Sequence, residues 1–129
     1  MILITGINGE MGHALTKQLH DANTNNIIGL DIKKASLDIA PLLQNSYVGD
    51  IRDKKLIHQI FQENQIDTIY HLAAVLSTKA ETIPFLAHQI NVDGFLNLIE
   101  EIISKKNVVK FFFPSSIAVY TMKKKYSNP

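Results

Sequence analysis

The first twelve residues, MILITGINGEMG, constrain this chain more than any other stretch. A short apolar run, Ile2-Leu3-Ile4, stops at Thr5-Gly6; Gly9 and Gly12 come next at three-residue spacing, and a helical pattern begins. A strand that turns through glycines into a helix aims the unpaired N–H groups of the helix start at one point, where a phosphate is stabilised. Gly6 would allow the sharp turn, Gly9 the approach of a pyrophosphate to the backbone, and Gly12 the packing of helix on sheet. The spacing is G-x-x-G-x-x-G and not the commoner G-x-G-x-x-G, so the assignment depends on support from residues further along the chain.

Beyond Gly12 the chain alternates helix and strand. Met11, Ala14, Leu15, Leu19 and Ala22 share one helical face, and Asn23 to Asn26 supply turn residues. Ile27 to Leu30 reads as a second buried strand ending at Asp31, while residues 33–45 show no convincing period and contain Pro41 as a breaker. Ser46 to Gly49 reads as a short third strand leading into Asp50. A helix from Asp53 faces Leu56, Ile57, Ile60 and Phe61 inward, and Ile66 to Leu72 forms a fourth strand ending at Ala73-Ala74. Pro84 opens a long helix to about Ser104 with Ile90, Phe95, Leu98, Ile99, Ile102 and Ile103 on its apolar face. Val108 to Phe113 is a fifth strand, closed by Pro114-Ser115-Ser116. Buried strands alternating with amphipathic helices predict an α/β fold with both faces of a parallel sheet covered. Right-handed crossovers then favour a doubly wound, Rossmann-like sheet of five strands in the order 3-2-1-4-5.

Composition narrows the function classes. A length of 129 residues suits one domain. The net charge of +1 gives no electrostatic ground for nucleic acid or an anionic membrane. The absence of cysteine excludes disulfides, thiolate catalysis and thiolate metal ligands. No apolar run approaches membrane length and no signal sequence is visible, so a cytoplasmic protein is expected.

Several residues could carry chemistry. Asp31, about 20 residues past the glycines, stands where a dinucleotide site wants a carboxylate for the ribose hydroxyls; its charge would repel a 2′-phosphate. Alone it could equally be a loop or capping carboxylate, and the upstream glycines favour the cofactor reading. Asp50 could cap the next helix or border an adenine pocket. His71, inside an apolar strand, reads as a hydrogen-bonded core residue, since no second histidine stands at metal-ligand spacing. Ala73 and Ala74 are small where a strand meets the ligand crevice. Asn91 interrupts an amphipathic helix, so its amide either bonds a neighbouring loop or bends the helix. Ser115 and Ser116 sit at the carboxyl edge of the sheet, where a hydroxyl could hold a substrate oxygen or simply make a turn. Lys123-Lys124-Lys125 reads as a solvated tail.

Together these residues resemble the extended short-chain dehydrogenase/reductases, the NAD-dependent epimerase/dehydratase superfamily. The matching pieces are TGINGEMG (5–12), Asp31, Asp50-Ile51, HLAA (71–74), Asn91 in NVDG, and SSIAVY (115–120). HLAAVLS (71–77), ETIPFLAHQINVDGFLNLIEE (81–101) and FFFPSSIAVY (111–120) resemble the short-chain type of L-threonine 3-dehydrogenase more than the sugar-nucleotide epimerases. The resemblance implies NAD with its pyrophosphate over Gly6, Asn8, Gly9, Glu10, Met11 and Gly12, the adenosine ribose on Asp31, and adenine near Asp50 and Ile51. Leu72, Ala73 and Ala74 would line the nicotinamide side, and Asn91 would help shape that region. Ser116 would take the catalytic serine's place, and Ser77 would touch an amino-acid substrate. The implied reaction is hydride transfer from the β-carbon of L-threonine to NAD, giving 2-amino-3-ketobutyrate. The alternatives are a sugar-nucleotide epimerase or dehydratase relative and a nucleotide-binding remnant without turnover. No metal is implied.

The pattern departs from the family near its end. The family's general base is a tyrosine in Y-x-x-x-K on the helix beyond the serine, and the sequence stops 13 residues after Ser116, at Pro129. Tyr120 and Lys124 make a literal Y-x-x-x-K, yet Tyr120 aligns with the ordinary aromatic of the family's V-Y pair. The expectation is a truncated family member: an NAD-binding domain over residues 1–120, a divergent basic tail over 121–129, no C-terminal substrate domain, and no turnover alone. An apolar fifth strand left at an open edge, and an uncovered helix over 90–104, would then favour self-association.

Overall fold

The computed structural model of the chain describes residues 1–108 and 110–115. Ser116, Tyr120, the lysines at 123–125 and the expected boundary at residue 120 lie outside the described residues.

Five short strands form one parallel sheet in the order β3-β2-β1-β4-β5. They are β1 (Ile2–Thr5), β2 (Ile27–Asp31), β3 (Asn45–Val48), β4 (Thr68–His71) and β5 (Lys110–Phe112). β1 is the central strand, with Thr5 paired to Leu30 on one side and to His71 on the other. The helices α1 (Glu10–Asp21), α2 (Lys54–Glu63) and α5 (Gly94–Lys105) complete the layers. The short helices α3 (Ser77–Ala80) and α4 (Pro84–His88) precede α5. Successive side chains of a strand point to opposite faces, so each strand feeds two cores. Leu3, Ile28, Leu30 and Ile69 pack with Ile57, Ile60 and Phe61 of α2 and Leu98 of α5. On the other face Ile4 and Ile27 pack with Ile7 and Ile39, joined by Leu15 and Leu19 of α1.

Local chemistry explains the element ends. Asn23, just past α1, adopts φ 61°, a left-handed conformation that asparagine tolerates better than most residues. Asp53 caps α2 by accepting the N–H groups of Lys55 and Leu56 at 3.0 and 3.2 Å. Asp50 therefore has no capping role there. Pro41 sits in the first turn of a 3₁₀ segment, Ala40–Leu42, where its missing N–H costs nothing. The expected helix from Pro84 to about Ser104 is α4 and α5 joined by one π turn, Gln89–Asp93, and it ends at Lys106 with φ 57°.

Two expected core faces need correction. Met11 is 67% exposed, because α1 seats itself through buried Gly12 and Thr16 together with Leu15 and Leu19, which turns Met11 and Ala14 outward. Ile103 is 68% exposed, while the preceding Ile102 packs against the core. Met11, Ala14, Leu15, Tyr70, Leu72 and Phe112 instead line an apolar groove of about 360 Å³ between α1 and the β4–β5 edge. Handedness accounts for it: moving right from β4 to β5, the crossover lies on the opposite face, so no crossover among the described residues covers this one.

Candidate functional site

Parallel pairing brings the carboxyl ends of all five strands to one edge, and the loops leaving that edge contain most of the expected site residues. The glycine turn leaves β1 there. Gly6 has φ +72°, and a Cβ on it would lie 2.7 Å from the backbone nitrogen of Ala73. A Cβ on Gly12 would lie 2.3 Å from the carbonyl oxygen of Gly6, so turn and helix start are in direct contact. Gly9 is the N-cap of α1 and brings no side chain to accept the first-turn N–H groups. The N–H groups of Met11 and Gly12 consequently have no capping acceptor of the kind Asp53 gives Lys55 and Leu56 in α2. Three glycines that keep side chains out of an uncapped helix start fit a bound diphosphate. The side chains of Glu10 and Met11 are both exposed.

Asp31 comes to this turn from the end of β2. Its Oδ2 accepts the N–H of Asn8 at 3.0 Å and its Oδ1 accepts the N–H of Lys33 at 3.0 Å. The Asn8 side chain is directed away from any phosphate position: Nδ2 donates to the carbonyls of Lys33 and Lys34 at 3.1 and 3.0 Å, and Oδ1 accepts from Ser36 N–H at 3.0 Å. Asn8 thus contributes backbone to the turn and side chain to the neighbouring loop.

On the other side of the turn, the N–H of Leu72 bonds the carbonyl of Thr5 at 3.1 Å, and the N–H of Ala73 bonds Thr5 Oγ1 at 3.3 Å. Leu72 and Ala73 are half-buried and Ala74 is exposed. The segment is held from above by Asn91. Val75 N–H donates to Asn91 Oδ1 at 2.7 Å, and Asn91 Nδ2 donates to Val75 O at 3.0 Å. Both alternatives open for Asn91 hold at once, since it bonds the loop and lies within the π turn that distorts its helix.

Beyond β3, Asp50 pairs with Arg52 through Nε at 3.0 Å and a terminal nitrogen at 2.7 Å. The guanidinium holds this carboxyl below the usual carboxylate range. Arg52 also reaches Gln89 at 3.2 Å, linking this loop to the π turn. Ile51 is buried, with Gly94 close against it and its carbonyl accepting from buried Asn97 Nδ2 at 3.1 Å. Ser77 is the exposed first residue of α3, and Ser115 is exposed past β5. His71 is buried as expected, 2.7 Å from Thr5 Oγ1.

Sequence reasoning missed Thr5, Arg52 and Asn97 as organising residues. Asn97 had a signal, a polar residue three positions beyond Gly94 on the inward face of the helix. Arg52 had none, since its partners at 50 and 89 become visible only in three dimensions.

Known proteins resemble this chain in both sequence and fold. A monomeric L-threonine 3-dehydrogenase from a metagenome is 36% identical with a TM-score of 0.82, covering 93% of this chain and 37% of that one. A UDP-glucose 4-epimerase is 30% identical with a TM-score of 0.80, covering 94% and 37%. An uncharacterized epimerase/dehydratase of Staphylococcus aureus is 30% identical over 121 residues, 92% of this chain and 37% of its own length. The chain therefore spans a little over a third of the relatives it matches. The profile of the NAD dependent epimerase/dehydratase family matches residues 2–129, and the chain belongs to that family.

Proposed function

We propose that this chain is the NAD-binding part of an oxidoreductase of the L-threonine 3-dehydrogenase type. The observation that carries the reading is the uncapped, glycine-lined start of α1, closed on one side by Asp31 and on the other by Ala73. Backbone N–H groups of Glu10 to Gly12 would hold the pyrophosphate, and Asp31 would accept the adenosine ribose hydroxyls. The Asp50–Ile51 loop would border adenine, and Leu72, Ala73 and Ala74, steadied by Asn91, would line the nicotinamide side. Ser77 would meet the amino-acid substrate, and Ser116, outside the described residues, would hold its reacting oxygen. Bound NAD would supply the hydride acceptor. The 36% identity to a threonine dehydrogenase against 30% to an epimerase supports this order of preference.

In the same reading the 129 residues bind cofactor without turnover, because the one Y-x-x-x-K beyond Ser116, Tyr120 with Lys124, aligns with the family's ordinary V-Y aromatic and not with its general base; such groups contribute ~10²–10⁴ in rate. A cytoplasmic setting goes with the cysteine-free composition. Self-association would use the apolar groove beside Met11 and Phe112 or the exposed Val92, Leu96 and Ile103 of the long helix. Titration calorimetry with NAD tests the reading, and absence of binding overturns it. Threonine-dependent NADH formation by the chain alone would overturn the inactive assignment. Epimerisation of a UDP-sugar would favour the second reading, a sugar-nucleotide epimerase relative, which the 30% identity to UDP-glucose 4-epimerase supports.

A further inference from the structure

We propose that Asn8 is a positioning residue that sets the preference of this site for a ribose with a free 2′-hydroxyl over one with a 2′-phosphate. The inference rests on the NAD reading above and concerns a residue whose side chain touches no ligand in it. The two oxygens of Asp31 are anchored by backbone N–H groups from different segments, Asn8 in the glycine turn and Lys33 in the following loop, each at 3.0 Å. Those two segments are tied by the Asn8 amide, through its bonds to Lys33 O, Lys34 O and Ser36 N–H. A closed ring results, and the carboxylate keeps its direction only while the ring is intact.

Little else fixes that loop. Ile32 and Leu37 are 68% and 93% exposed, so half-buried Ala35, a single methyl group, is its apolar anchor before buried Ile39. Its remaining polar ties are local or exposed: Ser36 O accepts the N–H groups of Ile39 and Ala40 at 3.1 and 2.9 Å, and Ser36 Oγ donates to Asp38, which pairs with Lys17 and His13 at 2.9 and 2.8 Å. Exposed pairs of this kind hold weakly and are screened by salt. Release of the loop would free Lys33 N–H from Asp31 and let the carboxylate rotate. It would also give the exposed Lys33 and Lys34 ammonium groups reach toward the ribose. A fixed anion that repels a 2′-phosphate would then give way to mobile cations that attract one. Only a side chain with both a carbonyl and an amino group at this length can close the ring from position 8.

The test compares NAD and NADP binding by titration calorimetry for the whole chain and for Asn8→Ala, with trypsin digestion read at Lys33 and Lys34. Wild-type protein should prefer NAD. Asn8→Ala should weaken NAD roughly tenfold, about 1.4 kcal/mol, with NADP weakened less, so that the ratio narrows. Cleavage after Lys33 and Lys34 should accelerate. An unchanged ratio in a folded Asn8→Ala protein, or unchanged cleavage, overturns the proposal while leaving the NAD reading intact. A wild-type protein that takes up neither nucleotide overturns the NAD reading and this proposal with it. Asn8→Ser, turn-compatible but too short to reach the loop, gives the same readout should Asn8→Ala not fold.

Discussion

Thr5 Oγ1 stands 2.7 Å from His71 Nδ1 and also accepts the N–H of Ala73 at 3.3 Å. A hydroxyl has one proton and two acceptor sites, so Thr5 Oγ1 can donate to Nδ1 or accept from Nδ1–H while it accepts from Ala73. The ring lies among Phe95, Phe111 and Phe113, and Nε2 has no hydrogen-bond partner among the described residues. Burial pushes the His71 pKa from 6.5 down to about 4.

A folded-state pKa below the unfolded value means that the unfolded chain takes the proton first. Stability from His71 is therefore full above pH 6.5 and is lost as pH falls toward 4, on the order of 3 kcal/mol in total. Urea denaturation at pH 7.5, 5.5 and 4.5 should show the decline, and His71→Gln should flatten it. An equal slope in the variant would remove His71 as the cause. Asp38, Asp50 and Asp67, whose carboxyls are all held low by their partners, act in a more acid range.

Gly9 and Gly12 should separate binding from folding. Ala at Gly12 puts its Cβ against the Gly6 carbonyl and the Ile7 backbone, neither of which can yield cheaply, and should destabilise by about 1–3 kcal/mol. Ala at Gly9 meets Gly6 O at 3.2 Å and should cost under about 1 kcal/mol. In the NAD reading its methyl group would crowd the diphosphate, so NAD affinity should fall at least tenfold. Melting curves paired with calorimetry decide this, and a Gly9→Ala protein that binds NAD normally refutes the cradle.

The Asn91 clasp should be measurable at Val75. Asn91→Leu keeps the branching at Cγ and loses both hydrogen bonds, a cost of about 1–3 kcal/mol. Hydrogen exchange at the Val75 amide should speed up while exchange in β1 stays slow. Unchanged protection at Val75 would show that the loop holds itself.

Self-association should respond to charge in the apolar groove. The wild-type chain should sediment above monomer mass at micromolar concentration, and Met11→Lys or Phe112→Lys should shift it to monomer. If the helix stripe is the contact, Ile103→Lys will act in their place. A wild-type monomer at every concentration ends the expectation of self-association.

The strand order was readable because each strand is a short apolar run and crossovers have one hand. Helix faces were less so. Periodicity marks Met11 and Ile103 as members of an apolar stripe but does not say whether anything lies opposite, and for these two nothing among the described residues does. The π turn left one trace, the five-residue step from Ile90 to Phe95 on the apolar face where three or four is regular. Asp50 and Asp53 were interchangeable on paper, and only the backbone at 54–56 decides which one caps α2. The ring through Asn8, Asp31 and Lys33 joins positions far apart along the chain, and no local pattern announces it.

That ring carries a thermodynamic consequence. The segments that would meet an adenosine are already fastened to one another by their own amides before anything arrives. Complex formation then has little chain disorder left to remove, and its entropic penalty falls mainly on the incoming molecule. A substitution that loosens the fastening would therefore register first as a larger entropy loss on association, even where every direct contact survives.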